Sequence, residues 1–169
     1  MFIKLFIDCL LLKRHAYEHV EEYSSYTYYA LAVIVTTSLT GAFRLAILEG
    51  QPFSIGYVLL SLTFWVVLTG IVFALGTTLM KTSETHATFG QVWRTLGFAQ
   101  LPALFYLFVL IFPLIGIVVF VWQSYTTVLA IQTALDYPKM LRAVGVYIIS
   151  AIAALVFVVF VFAALGISV

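Results

Sequence analysis

The sequence predicts an all-α integral membrane protein with five transmembrane helices, and three observations carry that prediction. Of 169 residues, 64% are hydrophobic and 9% charged, against roughly 25% charged in a soluble domain. Five apolar stretches each approach the about 20 residues needed to cross roughly 30 Å of hydrocarbon. The cations are one-sided: Lys4, Lys13, Arg14, Lys81, Arg94, Lys139 and Arg142 fall on one set of connections, and Arg44 alone falls on the other. Short cytoplasmic loops hold the Lys/Arg excess, so the N-terminus is expected in the cytoplasm and the C-terminus outside.

The first element, within residues 1–27, is an apolar stretch followed by Lys13, Arg14 and His15. A signal peptide has its positive charge before the apolar core, so this order argues against one. About a dozen residues are too few to span as a helix. With Lys4 and Asp8 at i,i+4 on a polar side, Phe2, Ile3, Phe6, Ile7 and Leu10 are left for acyl chains. An interfacial helix on the cytoplasmic surface is expected, with a helix packed against a partner as the alternative. Residues 1–27 are thus a cytoplasmic lead, and 28–169 a single five-helix membrane domain.

The spans are expected at Tyr28–Leu48, Ile55–Met80, Thr95–Phe112, Leu114–Leu135 and Leu141–Phe162. Between the third and fourth, Phe112-Pro113-Leu114-Ile115-Gly116 is the only break in a long apolar run. Pro disfavours helix in the residue before it and Gly permits a turn, so a tight hairpin forms there. Exposed backbone is unsatisfied in hydrocarbon, which places that turn near the interface or against protein.

The aromatic residues Tyr17, Tyr23, Tyr26, Tyr28, Tyr29 and Trp93 cluster at predicted boundaries, where an apolar ring with a polar tip acts as an interfacial anchor. An aromatic ligand cage is the alternative. Trp65 and Trp122 lie inside spans and are expected between helices. His15, Glu18, His19 and Glu22 follow i, i+3, i+4, i+7, which stacks two imidazoles and two carboxylates on one helical face. A solvated face explains them, and a metal site is the sharper alternative. The one cysteine, Cys9, excludes an intrachain disulfide and any multi-thiolate site.

Inside the spans no carboxylate suited to proton coupling is evident. Neutral polar residues collect instead near one depth: Thr37 and Ser38, Thr69, Gln123 and Ser124, and Ser150. Interhelical hydrogen bonds, about 0.6 kcal/mol each in membranes, are the first explanation. A mid-membrane layer lining a permeation path is the second. The sequence has no phosphate-binding glycine loop, paired metal motif or nucleophile elbow, and Ser83 with His86 lack an orienting acid beyond Glu84, so no enzyme and no cofactor is expected. A net charge of +1 without a basic stripe argues against nucleic acid as a partner.

From Thr88 onwards, through Gly97-Phe98-x-x-x-Pro102, the Pro-Leu-Ile-Gly hairpin, Trp122 and the short basic loop before the last span, the chain resembles the Yip (Ypt/Rab-interacting protein) domain family. The likeness covers roughly residues 12 to 165, with Gly97, Phe98 and Pro102 matching the family's Gly-aromatic-x-x-x-Pro motif. It is closest in form to compact prokaryotic-type members, since the long soluble region and the Asp-Leu-Tyr-Gly-Pro motif of eukaryotic members are not in this sequence. The resemblance implies five spans, a cytoplasmic N-terminus and contact with other membrane components, in a bacterial inner membrane. Expected partners are therefore lipids, other membrane proteins or further copies of the chain. A small oligomeric transporter or channel is the competing expectation.

Overall fold

The computed structural model describes residues 2–50 and 52–165, and every regular element among them is helical. The side chain of Phe2 and the predicted domain end at residue 169 lie outside the described residues. In chain order the elements are α1 (Phe2–Leu10), α2 (Arg14–Glu22), α3 (Tyr26–Glu49), α4 (Ile55–Thr77) and α5 (Phe89–Phe98). A 3₁₀ segment (Leu101–Leu110), α6 (Ile115–Ala134) and α7 (Met140–Ala164) complete the chain. Five helical stretches are long and apolar enough to cross a membrane: α3, α4, α5 with the 3₁₀ segment, α6 and α7.

Local chemistry sets the ends. The Ser54 hydroxyl accepts from the Tyr57 amide to start α4, and Thr88 with Gln91 forms a reciprocal capping box at the start of α5. Two helices end in Schellman turns without glycine. After α1, Lys13 N–H donates to Asp8 O and Leu12 N–H to Cys9 O, with Leu12 at φ 61°. After α6, Tyr137 N–H donates to Gln132 O and Asp136 N–H to Thr133 O, with Asp136 at φ 50°. The predicted third span is two pieces: Pro102 offers no amide hydrogen, so α-helical pairing stops after α5 and the chain continues with i→i+3 bonds such as Ala103 N–H to Gln100 O. Thr126 Oγ1 of α6 donates to the Ala99 carbonyl beside this break. The hairpin at Pro113 is present, with Ile111, Phe112 and Leu114 exposed.

The stretch Phe89–Leu110 sits at the centre of the bundle and α6 beside it, half and 39% of their apolar windows being buried; α3, α4 and α7 bury 22 to 28% and form the outside. Antiparallel α3 and α4 meet at Ser38 and Ser61, whose hydroxyls are 3.1 Å apart. Edge-on ring pairs join α4 to α5, Trp65 on Trp93 and Phe73 on Phe89. Trp122 packs on Phe105 and donates from Nε1 to the Leu10 carbonyl. Both interior tryptophans thus lie between elements.

The N-terminal lead differs from a simple interfacial helix. Leu5, Phe6 and Cys9 of α1, and Ala16, Tyr17 and Val20 of α2, join the same core as the spans. Ile3, Ile7 and Leu11 point outward. Asp8 is buried and paired with Lys13 at 2.7 Å rather than with Lys4, because the turn at Leu12 folds Lys13 back over α1. That ion pair holds the Asp8 carboxyl below the usual carboxylate range.

Candidate functional site

Besides Arg142 at the start of α7, two arginines lie within the apolar stretches, and their surroundings are opposite. Arg94 on α5 is buried. Its Nε donates to Val20 O at 3.1 Å and its terminal nitrogen to Glu21 O. These carbonyls belong to the last turn of α2, which has no intrahelical donors for them. Gln91, one turn earlier on α5, donates to the Glu21 carboxylate at 2.9 Å. Burial, followed by the nearby Asp136, pushes the Glu21 carboxyl up to about 7. The group is a clamp that fastens the lead to the bundle.

Arg44 on α3 has no such partners. Its Nε is buried without a hydrogen bond, its guanidinium carbon stands 5.6 Å over the Tyr106 ring, and among the described residues it makes no ion pair. It lines a cavity of about 190 Å3 between α3, α4 and the 3₁₀ segment, whose polar walls are Thr37, Tyr57, Ser61, Gln100 and Tyr106. A smaller cavity shares Thr37, Ser61 and Gln100 and reaches Trp65, whose Nε1 is also buried without a partner.

The predicted polar layer does not form a single file. Thr69 Oγ1 donates within its own helix to Trp65 O, and Ser124 meets the Tyr147 hydroxyl on α7 at 3.5 Å. Ser150 is buried with its hydroxyl unpaired. Gln123 Nε2 donates to Gln100 Oε1 at 2.6 Å, leaving Gln123 Oε1 buried and unpaired. Gln100 is thus a second long polar side chain at the Gln123 level. It joins the layer to the Arg44 cavity because the break after α5 turns it towards α6. Sequence reasoning passed over Gln100, Ser61 and Tyr57, and it set Arg44 aside as a boundary charge; an arginine inside an apolar stretch was the available signal.

The aromatic group divides. Tyr23, Tyr28 and Tyr29 are exposed, but Tyr17 and Tyr26 are buried. Tyr17 takes a core position because the α1–α2 turn brings the Cys9 carbonyl to its hydroxyl, and burial pushes that phenol up. Trp93 likewise packs inside, against Trp65 and Phe89. The four residues of the His/Glu face turn to separate surroundings: His15 lies 3.8 Å from Asp8, Glu18 pairs with Arg14, His19 meets the Tyr26 hydroxyl, and Glu22 is exposed. Among the described residues no group of three or more His, Cys, Asp or Glu is placed to hold a metal.

Gly97, Phe98 and Pro102 mark the junction of α5 with the 3₁₀ segment. A Cβ at Gly97 would stand 2.6 Å from Ala30 Cβ and 3.1 Å from its Cα, so glycine sets the α3–α5 approach. Phe98 is buried between Phe6 and Tyr26.

This arrangement is that of a multi-pass helical integral membrane protein. The motif at the α5 junction and the five-span order have a specific counterpart: residues 13–162 match the Yip1 domain, and the chain belongs to that family, a non-catalytic membrane-trafficking family. No curated protein and no solved structure matches the chain significantly.

Proposed function

We propose that the protein is a non-catalytic partner-binding component of a bacterial inner membrane, with its N-terminus and α2 clamp on the cytoplasmic side and its C-terminus outside. It binds lipids and other membrane proteins, or further copies of itself, through its outer helices, as a subunit of a larger membrane complex. Tyr23, Tyr28 and Tyr29 serve as headgroup anchors at the cytoplasmic boundary. The observation that carries this reading is the exposure of α3, α4 and α7, of which only 22 to 28% is buried within the chain. Lipid drives no hydrophobic association between helices, so such faces associate by close packing and hydrogen bonds.

Purification in mild detergent tests it: proteins or lipids should co-purify, and a bare monomer would count decisively against the reading. Maleimide labelling of Ser83→Cys and Phe53→Cys in intact cells tests the orientation, with only Phe53→Cys expected to react with an impermeant reagent. The unpaired Gln123 Oε1 and Ser150 hydroxyl favour a second reading, a small oligomeric transporter through the polar layer. Solute flux into vesicles that Gln123→Leu abolishes would support that reading, and vesicles tight to a broad solute panel would sink it.

A further inference from the structure

We infer that the Arg44 cavity is a binding site for an anionic group, a phosphate ester or carboxylate, and that an anionic lipid is its best-fitting bearer. An arginine inside an apolar stretch is costly unless paired, and it then marks a site with an absent or present counter-charge. Arg44 lies about 7.5 Å along α3 from the helix end at Glu49, at 1.5 Å per residue. Its Nε has no acceptor, and the ion pairs of the described residues all lie in the N-terminal lead. Most other polar groups on the cavity wall can donate: the hydroxyls of Ser61, Tyr57 and Tyr106 and the amide of Gln100, whereas the Thr37 hydroxyl already donates to the Ile34 carbonyl. Among the described residues the wall holds no carboxylate. Glu49 lines a separate outer cavity that meets this one at Tyr57. The cavity therefore presents one fixed cation and several donors to whatever enters it, which suits an oxyanion.

Size and surroundings narrow the class. About 190 Å3 is below the roughly 300–1,000 Å3 of pockets for drug-sized molecules and suits a single small charged group. On its other side the wall formed by Tyr57 and Ser61 also borders an apolar groove of about 300 Å3 between α4 and α7, lined by Leu60, Phe64, Leu155, Val158 and Val159. A cationic chamber beside an apolar groove matches an anionic headgroup joined to an acyl chain. A free phosphate offers the same anionic group without the chain. The inference does not depend on the outer helix faces, and a protein with no protein partner can still satisfy it.

The test is native mass spectrometry of the whole chain in detergent with equimolar phosphatidylglycerol and phosphatidylcholine, alongside melting with and without inorganic phosphate. Wild type should retain phosphatidylglycerol over phosphatidylcholine, and Arg44→Gln should lose at least about tenfold of that preference, as expected for one charge-assisted bond. Gly41→Leu keeps the charge but fills the cavity from α3, where a Cβ already comes within 3.3 Å of the Tyr57 ring, and it should lose the preference too. This variant decides the matter if Arg44→Gln does not fold. A phosphate-dependent rise in melting temperature that requires Arg44, without lipid preference, assigns the site to a soluble anion. Equal retention of the two lipids with no phosphate effect overturns the site, as does a preference that survives in both variants. Either result leaves protein partnership through the outer helices untouched.

Discussion

Arg94 and Arg44 are the same residue type placed in two apolar stretches of one bundle, yet one is surrounded by acceptors and the other by donors. Around Arg94, the spare carbonyls of α2, the Glu21 carboxylate and the Gln91 amide close a compact polar knot. Around Arg44 lies open space bounded by hydroxyls. Charge in a membrane segment is therefore not one kind of signal. Where acceptors converge on it, the charge is fastening; where donors and volume converge, it is available.

Mutations can break that contrast, and the largest effect is expected at the knot. Arg94→Leu strands two buried carbonyls beside Glu21 and should cost about 3 kcal/mol. Limited trypsin digestion would then cut at Lys13 and Arg14 far faster than in wild type. Next, Gly97→Ala drives a Cβ into the Ala30 methyl group and close to its Cα and should cost about 1–3 kcal/mol by overpacking, whereas Gly41→Ala, facing only the Tyr57 ring, should change melting little. Comparing the two melting temperatures measures how much tighter the α3–α5 seam is than the cavity wall. A smaller effect comes from pH. The folded Glu21 carboxyl lies at about 7 against an ordinary 4.5, so its contribution is complete below about 4.5 and is lost as pH rises through about 7. Proteolysis of the lead should accelerate from pH 5.5 to 8.5, and Glu21→Gln should flatten the profile. Smallest of all, Arg44→Leu removes a side chain without hydrogen-bond partners and should leave stability unchanged or raised; a loss comparable to that of Arg94→Leu would erase the distinction.

The apolar spans were legible because hydropathy and length report directly on a lipid environment. Tyr28–Leu48 and Ile55–Met80 were read to within a few residues of α3 and α4. The Pro113 hairpin was legible for the same reason, proline and glycine being the only interruption. What pattern could not supply was partnership with backbone. Arg94 bonds to carbonyls, which every residue carries, so nothing in the side-chain sequence marks Val20 and Glu21 as its acceptors. Tyr17 illustrates the same limit: its spacing looks interfacial, but a turn at Leu12 in the left-handed region delivers the Cys9 carbonyl to its hydroxyl. Gln100 escaped because a continuous third helix would orient it differently from the broken one.

The clamp on α2 also imposes a schedule. Its acceptors precede Arg94 by 74 and 73 positions, so at about 5–20 residues per second the ribosome delivers the arginine roughly 4–15 s after the carbonyls it must meet. During that interval the lead waits undocked, and it is fastened only when Arg94 arrives.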